Sequence, residues 1–366
     1  MPTRLAGVTM ERANPSEQLA LQRLLGLGLG DTVDVDLLRS RLRHLALASE
    51  AYHSVWLRPS GEGDSARFHL ALRRASSRVA GLGLAYDNEL GGRMWAGVVD
   101  RRILGQALEG SLALFLGGLR KELYAGLRRN YQVGRQLLSP TLTARVATED
   151  VRRFAPDGEE LDEVETREAI GFLGAERGLP GGWEIAAGLQ AHAWHEPGRE
   201  DRSTLGTVVR VVRVSRTRGR VVWLEGVWAG LYRRAALQAE VQARLGTVRL
   251  TPRLRLGWGE ALPLQLGFPL GGDDGFPGLH IGERRGDREA MLGLLFTVPI
   301  QGPLLARIEF AGGRSGAGGP LVDDEGWTGG VRAGIGAETP VGPVRFEYGY
   351  GTEDRGALFV RLGRWF

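Results

Sequence analysis

GWTGGVRAGIGAETPVGPVRFEYGYGTEDRGALFVRLGRWF, residues 326–366, closes the chain on a bare aromatic residue. From Val344 onward its side chains alternate. Val344, Phe346, Tyr348 and Tyr350 fall on one face of an extended strand, and Arg345, Glu347, Gly349 and Gly351 fall on the other, because successive residues of a strand point to opposite faces. The next segment repeats the pattern, with Val360, Leu362 and Phe366 opposed to Arg361 and Gly363. Residues 351–356 supply the turn. This is an antiparallel hairpin with one apolar, aromatic face and one polar or small face, a pattern that soluble sheets and membrane barrels share.

The rest of the chain extends the pattern upstream. Strand candidates separated by turn signals occupy residues 78–86, 93–101, 104–116, 121–129, 138–153, 165–175, 183–195 and 205–215. They continue at 221–231, 235–245, 248–258, 290–300, 304–310 and 330–339, and with the closing hairpin they number sixteen. An even number of strands of about 9 to 11 residues suits a bacterial membrane barrel. Register follows from energetics. Between 235 and 245, Leu237, Ala239, Val241 and Ala243 oppose Gln238, Glu240, Gln242 and Arg244. In the next strand Val248, Leu250, Leu254, Leu256 and Trp258 oppose Arg249, Arg253 and Arg255. An arginine facing lipid at the midplane costs about 2 to 4 kcal/mol. Arg249, Arg253, Arg255, Glu240 and Glu347 are therefore expected to face a polar lumen. Trp183, Trp258 and Tyr350, near strand ends, are candidates for interfacial aromatic girdles.

The ending Val360, Leu362, Gly363, Phe366 resembles the carboxy-terminal assembly signal of bacterial outer-membrane barrels, and residues 338–351, ETPVGPVRFEYGYG, resemble the penultimate hairpin of the bacterial surface antigen barrels. That superfamily holds outer-membrane insertases, two-partner secretion transporters and patatin-like autotransporters. Residues 1 to about 75 read differently, as a strand, two helix-period segments and two strands. Asn14 and Pro15 open the first helical segment, which carries Leu19, Leu21, Leu24 and Leu25. The second carries Leu37, Leu38, Leu42 and Leu45. This order, with the centre GLGLGDTVDVDLLRSRLRHL, resembles a POTRA module. The resemblance implies a mainly β chain in two domains: one small α+β POTRA domain at 1–76 and a transmembrane antiparallel β-barrel of about 16 strands at 77–366.

A long loop, residues 262–288, reads LPLQLGFPLGGDDGFPGLHIGERRGDR between the eleventh and twelfth strands. Barrels of that superfamily carry at this place a loop folded back into the lumen. Its usual glycine pair corresponds here to Gly271 and Gly272, and its apolar–Arg–Gly–aromatic tetrad to Phe276, Pro277, Gly278 and Leu279. The tetrad's arginine is thus replaced by Pro277. The acid expected to pair with that arginine corresponds to Ala311 in Glu309-Phe310-Ala311-Gly312-Gly313, so both members of the ion pair are expected to be missing. A buried charge without its partner is costly, which makes the double loss self-consistent.

Composition narrows the chemistry. The 366 residues include 56 glycines, nine tryptophans, four methionines and no cysteine. Disulfides and thiolate metal sites are excluded. Forty-seven basic residues against 43 acidic ones leave a net charge of +4, and the arginines are spread along alternating strands instead of clustering beside stacking aromatics, so no nucleic-acid footprint is present. The longest uncharged run, residues 290–306, contains Pro299, Gln301, Gly302 and Pro303 and reads as two strands and a turn, not a membrane helix. No apolar segment follows Met1-Pro2-Thr3-Arg4 to make a signal peptide. A barrel bound for an outer membrane needs export, so the sequence reads as a mature chain or a fragment with an upstream part removed.

A catalytic set is not found. Ser315 lacks the second glycine of a nucleophile elbow. His192 and His195, three apart, face opposite sides of a strand and are not a chelating pair. The acidic run 157–165 reads as a solvated turn, and Gly26 to Gly30 lack the strand-to-helix setting of a phosphate loop. The expectation is a non-enzyme without metal or cofactor, set in outer-membrane lipid with its POTRA module in the periplasm. Its implied partners are an unfolded polypeptide client or fused passenger and the outer-membrane assembly machinery. Its implied work is inserting proteins or translocating and anchoring a passenger, as the membrane half of a patatin-like autotransporter. The alternative is a passive solute-conducting pore.

Overall fold

The computed structural model describes residues 4–10, 22, 25, 28–33, 38, 52–60, 65–74, 76–101, 103, 108–129, 131–133, 136–155, 157–179, 182–215, 220–272, 275–319, 326–339, 342–352 and 354–363. The chain divides into two compact units. One comprises Met1–Val79, Val99–Ala107 and Gln132–Gln136, and the other Ala80–Val98, Leu108–Tyr131 and Leu137–Phe366.

The first unit is built on a three-stranded sheet of β1 (Arg4–Met10), β2 (Tyr52–Ser60) and β3 (Ser65–Arg74) in the order β1-β3-β2. β1 runs parallel to β3 and β2 antiparallel to it. A parallel neighbour needs a crossover connection, and the two helix-period segments of the sequence lie in that connection. They fall mostly outside the described residues. Gln22, Leu25 and Leu38 are described, each in helical conformation, and Leu25 and Leu38 pack against Leu5, Val8, Phe68 and Leu70 in a single core.

The second unit is a closed antiparallel barrel of sixteen strands. Its first half comprises β4 (Arg78–Asp87), β5 (Gly91–Asp100), β6 (Leu108–Leu116), β7 (Arg120–Arg129) with the short β8 (Tyr131–Val133), β9 (Gln136–Phe154), β10 (Glu160–Leu179), β11 (Trp183–His195) and β12 (Arg202–Ser215). Then come β13 (Arg220–Ala229), β14 (Arg233–Val241) continued by β15 (Ala243–Leu245), and β16 (Val248–Glu260). A loop hairpin of β17 (Phe268–Leu270) and β18 (Arg284–Gly286) precedes β19 (Arg288–Gln301), β20 (Leu304–Gly316), β21 (Thr328–Thr339), β22 (Gly342–Gly351) and β23 (Arg355–Gly363). Every strand segment read from the sequence corresponds to one of these strands. Their lengths differ in places. β9 and β10 reach 19 and 20 residues, and β20 runs on to Gly316, because charged residues at their ends pair across the ladder, as Arg153 does with Asp162.

Alternation sorts the side chains as the lipid cost demands. Leu82, Leu84, Leu112, Leu173, Leu205, Leu292, Ile335 and Phe346 stand exposed on the outside all around the barrel, whereas Glu168, Glu289, Arg307, Glu309, Arg332 and Glu347 are buried. Among the described residues no helix is long and apolar enough to cross a membrane. An apolar exterior over a charged interior is the arrangement of a membrane-spanning barrel. Trp183 opens β11 at one rim, while Trp258 and Tyr350 lie near the other. The guanidiniums of Arg213 and Arg288 cover the rings of Trp183 and Trp258.

Candidate functional site

The loop 262–288 lies inside the barrel. Its base is a 3-10 turn at Leu264–Leu266, its stem the β17–β18 pairing of Phe268 with Gly286 and Leu270 with Arg284. Its contacts run around the ring of strands. The Leu264 N–H donates to Glu196 Oε1 at 2.9 Å beyond β11, and Arg234 on β14 donates to Leu266 O at 3.4 Å. Arg255 on β16 donates to Pro269 O at 3.1 Å and Ser315 on β20 to Phe268 O at 2.9 Å. Arg332 on β21 reaches Gly272 O at 3.4 Å, Arg355 on β23 pairs with Glu283 at 2.8 Å, and Arg285 faces Glu149 on β9 at 3.6 Å. A segment that touches strands on all sides of a closed ring sits in the middle of it.

The tip, 271–283, carries the residues singled out in the sequence. Phe276 and Leu279 are fully buried with Leu270, Met291 and Ala311, and Pro277 is buried beside them. Gly271 and Gly272 take positive φ values of 122° and 90°, and Gly272 donates to Leu279 O at 2.9 Å, which closes the tip on itself. Gly278, with φ of 80°, lies against the wall so closely that a Cβ on Gly349 of β22 would meet its nitrogen at 2.5 Å. Only glycine on both sides permits that approach. At the place where the resemblance put an acid, Ala311 instead completes an apolar seat for the tip. A buried arginine–acid pair exists elsewhere, and both of its members belong to the wall. Glu309 on β20 lies directly opposite Arg332 on β21 in register, 2.5 Å away, and also binds Arg253 at 3.2 Å. Glu347 pairs with Arg307 at 2.9 Å across Gly334, the residue between them in the ladder, where a Cβ would meet the Glu347 side chain at 2.8 Å.

The remaining lumen candidates fall as the register requires. Arg255 pairs with Glu289 at 2.8 Å, Arg253 also faces Glu240 at 3.6 Å, and Arg249 stands exposed toward the other end of the lumen. Of the candidate assembly signal, Val360 and Leu362 lie on the outward face and Gly363 on the inward face, while Phe366 lies outside the described residues. His192 and His195 do point apart. His192 is buried beside Tyr232, Nδ1 to hydroxyl 3.0 Å, and His195 meets Asp201 at 2.6 Å on the surface. Ser315 anchors the loop. Among the described residues no group of His, Asp and Glu could hold a metal.

The first hairpin turn was not singled out in the sequence, yet it joins the loop to the seam where the barrel closes. Among the described residues, β23 meets β4 through the register pairs Arg361 with Asp87, Leu362 with Tyr86 and Gly363 with Ala85, against eight between β22 and β23. Asn88 extends it with its side chain. Its Nδ2 donates to Leu358 O at 2.7 Å, and the Val360 N–H donates to its Oδ1 at 2.8 Å. The neighbouring Asp87 forms a buried ion pair with Arg93 and caps the turn by accepting from the N–H groups of Glu89 and Leu90. Glu89 turns to the loop. Its carboxylate lies 2.7 Å from His280 Nδ1 and accepts from the Ile281 N–H at 3.2 Å. The hydrogen bond to Glu89 raises the His280 pKa above the ordinary imidazole value, against the opposing effect of partial burial.

A closed sixteen-stranded antiparallel barrel, apolar outside, charged inside and filled by its own loop, is thus a membrane barrel with an occupied lumen. Neither a protein-family model nor a curated protein sequence matches the chain. Solved structures share its fold. It is similar to the crystal structure of BamA from Haemophilus ducreyi lacking POTRA domains 1–3, with a TM-score of 0.71 at 12% identity, over 98% of this chain and 84% of that one. It is also similar to CdiB from Acinetobacter baumannii, with a TM-score of 0.66 at 13% identity, over 99% of this chain and 74% of that one. CdiB from Escherichia coli gives 0.61 at 14% identity, over 99% and 76% of the two chains.

Proposed function

We propose that this chain is an outer-membrane barrel that handles polypeptide, inserting proteins into the membrane or translocating and anchoring a passenger. The carrying observation is the combination of a loop seated in the lumen with a seam that, among the described residues, holds three register pairs. A loop seated in the lumen obstructs it, and a short ladder is a place where the wall can part. The likeness in fold to BamA and CdiB supports the reading. So does the amino-terminal sheet with its parallel crossover, which fits a periplasmic POTRA module whose edge strand can pair with an extended client. Within this class the departures at Pro277 and Ala311 favour a patatin-like autotransporter half. The intact mass of the native product tests that branch, since an esterase ahead of Met1 requires a mass well above 39.8 kDa.

The seam can be tested by cross-linking. Tyr86 and Leu362 are directly opposite, and the chain has no cysteine of its own, so Tyr86→Cys with Leu362→Cys gives a single disulfide across the seam. A matched control joins Leu294 and Phe310, opposite each other on β19 and β20. With a reporter passenger fused at the amino terminus, surface exposure should fall at least tenfold in the seam variant and return on reduction, with the control unaffected. Undiminished exposure with the seam locked would sink the reading.

A further inference from the structure

The lumen end opposite the loop is crowded with arginine. In the ladder Arg244 on β15 lies directly opposite Arg249 on β16. Thr297 on β19 separates Arg249 from Arg307 on β20. One row on, Arg345 on β22 lies directly opposite Arg361 on β23. Neighbouring strands are about 4.8 Å apart, and like charges directly opposite one another destabilise a sheet. The opposition of Arg244 and Arg249 is therefore a standing electrostatic cost, whereas Arg361 also has Asp87 opposite it across the seam. Arg307 is answered by Glu347 and Arg253 by Glu309. Among the described residues, Arg244, Arg249 and Arg345 have no acidic partner within salt-bridge distance. Arg249 and Arg345 line a cavity of about 120 Å3 with Thr251, Thr297, Glu240 and Glu338, and Arg249 also lines a second of about 370 Å3 beside Arg244 and Thr247.

A dry or neutral lumen has no use for this arrangement, whereas a carboxylate entering the cavity would meet several guanidinium forks at once, the strongest class of hydrogen bond available to it. We propose that Arg244, Arg249 and Arg345 form a carboxylate-binding vestibule that receives an acidic segment of polypeptide at this end of the lumen. The identity of the ligand rests on the polypeptide-handling reading. The cationic site does not.

The test uses the whole protein in detergent, titrated calorimetrically with hexaglutamate, hexalysine and inorganic phosphate at low salt. Hexaglutamate should bind and weaken as salt rises, since exposed charges are screened within about 10 Å at 0.1 M. Hexalysine should not bind. Arg249→Gln with Arg345→Gln should weaken hexaglutamate at least tenfold, whereas Arg249→Lys with Arg345→Lys should retain most of the binding. The Gln pair should also melt at a higher temperature than the parent when no ligand is present, because it relieves the Arg244–Arg249 opposition. That readout shows that the variant folds. Hexalysine binding as tight as hexaglutamate, or an unchanged Gln pair, would overturn the site. Phosphate binding as tightly as hexaglutamate would overturn the assignment to an acidic segment. The seam cross-link leaves these arginines untouched, so lost passenger display with intact hexaglutamate binding counts against the seam alone. Normal display with lost binding counts against the vestibule alone.

Discussion

Glu309 is a buried carboxylate of the lumen wall that meets two guanidiniums. It is 1% exposed and holds Arg332 and Arg253 together. Removing its carboxylate while leaving both guanidiniums buried should cost about 3 to 5 kcal/mol, the range for a broken buried pair. Glu309→Gln should therefore lower the midpoint of thermal unfolding, read by the loss of folded-barrel mobility on unheated gels. Glu309→Leu combined with Arg332→Met should recover most of the loss, because an apolar pair of similar volume carries no unpaired charge. An equally damaged double variant would show that the residues act independently. The arginines of this wall were legible in the sequence, since alternation and the cost of charge in lipid leave them one place to go. Which acid each one meets was not. Ala311 was read as the family's acid position, and Glu309, two residues earlier on the same face, was passed over, because its pairing depends on a register that only the folded ladder fixes.

The loop is an element recognisable in the sequence from its place between the eleventh and twelfth strands, while its seat in the lumen and its anchors were not legible. Glu89, Glu149, Glu196 and Arg355 lie far from it in sequence, and no local pattern marks them. The His280–Glu89 contact makes one anchor depend on pH. His280 has its pKa raised by Glu89, so its contribution is fully present below the ordinary value of about 6.5 and is lost as pH rises through the raised folded value. Glu283 adds to the attraction and Arg355 opposes it. The tip should thus be held most firmly in acid and loosen above about pH 6.5. A spin label on Ile281→Cys, clean in a chain without cysteine, should report a more mobile tip at pH 8.5 than at 5.5. His280→Gln should remove the difference. A pH dependence that survives this change would assign it to another group. Because Asn88 and Glu89 are adjacent, the same turn touches both the tip and the seam.

At the scale of the molecule, strand count and lumen content together decide whether the barrel conducts. Sixteen antiparallel strands enclose a width that leaves an aqueous channel when nothing fills it, and this barrel fills it with residues 262–288. The ladders that close the wall run strand to strand without the loop, so replacing the loop by a short linker should leave a folded barrel. The loop's wall partners, Glu149, Arg255, Arg332 and Arg355 among them, would then face water, which solvates charge well. In planar bilayers the parent should give small, flickering currents, and the loopless variant a steady conductance at least several-fold larger. A passive pore makes the opposite forecast, because its current does not depend on the loop. Equal, steady conductance from both proteins would mean that the loop leaves a permanent path beside it, and the case for an occupied lumen that works through its seam would fall with it.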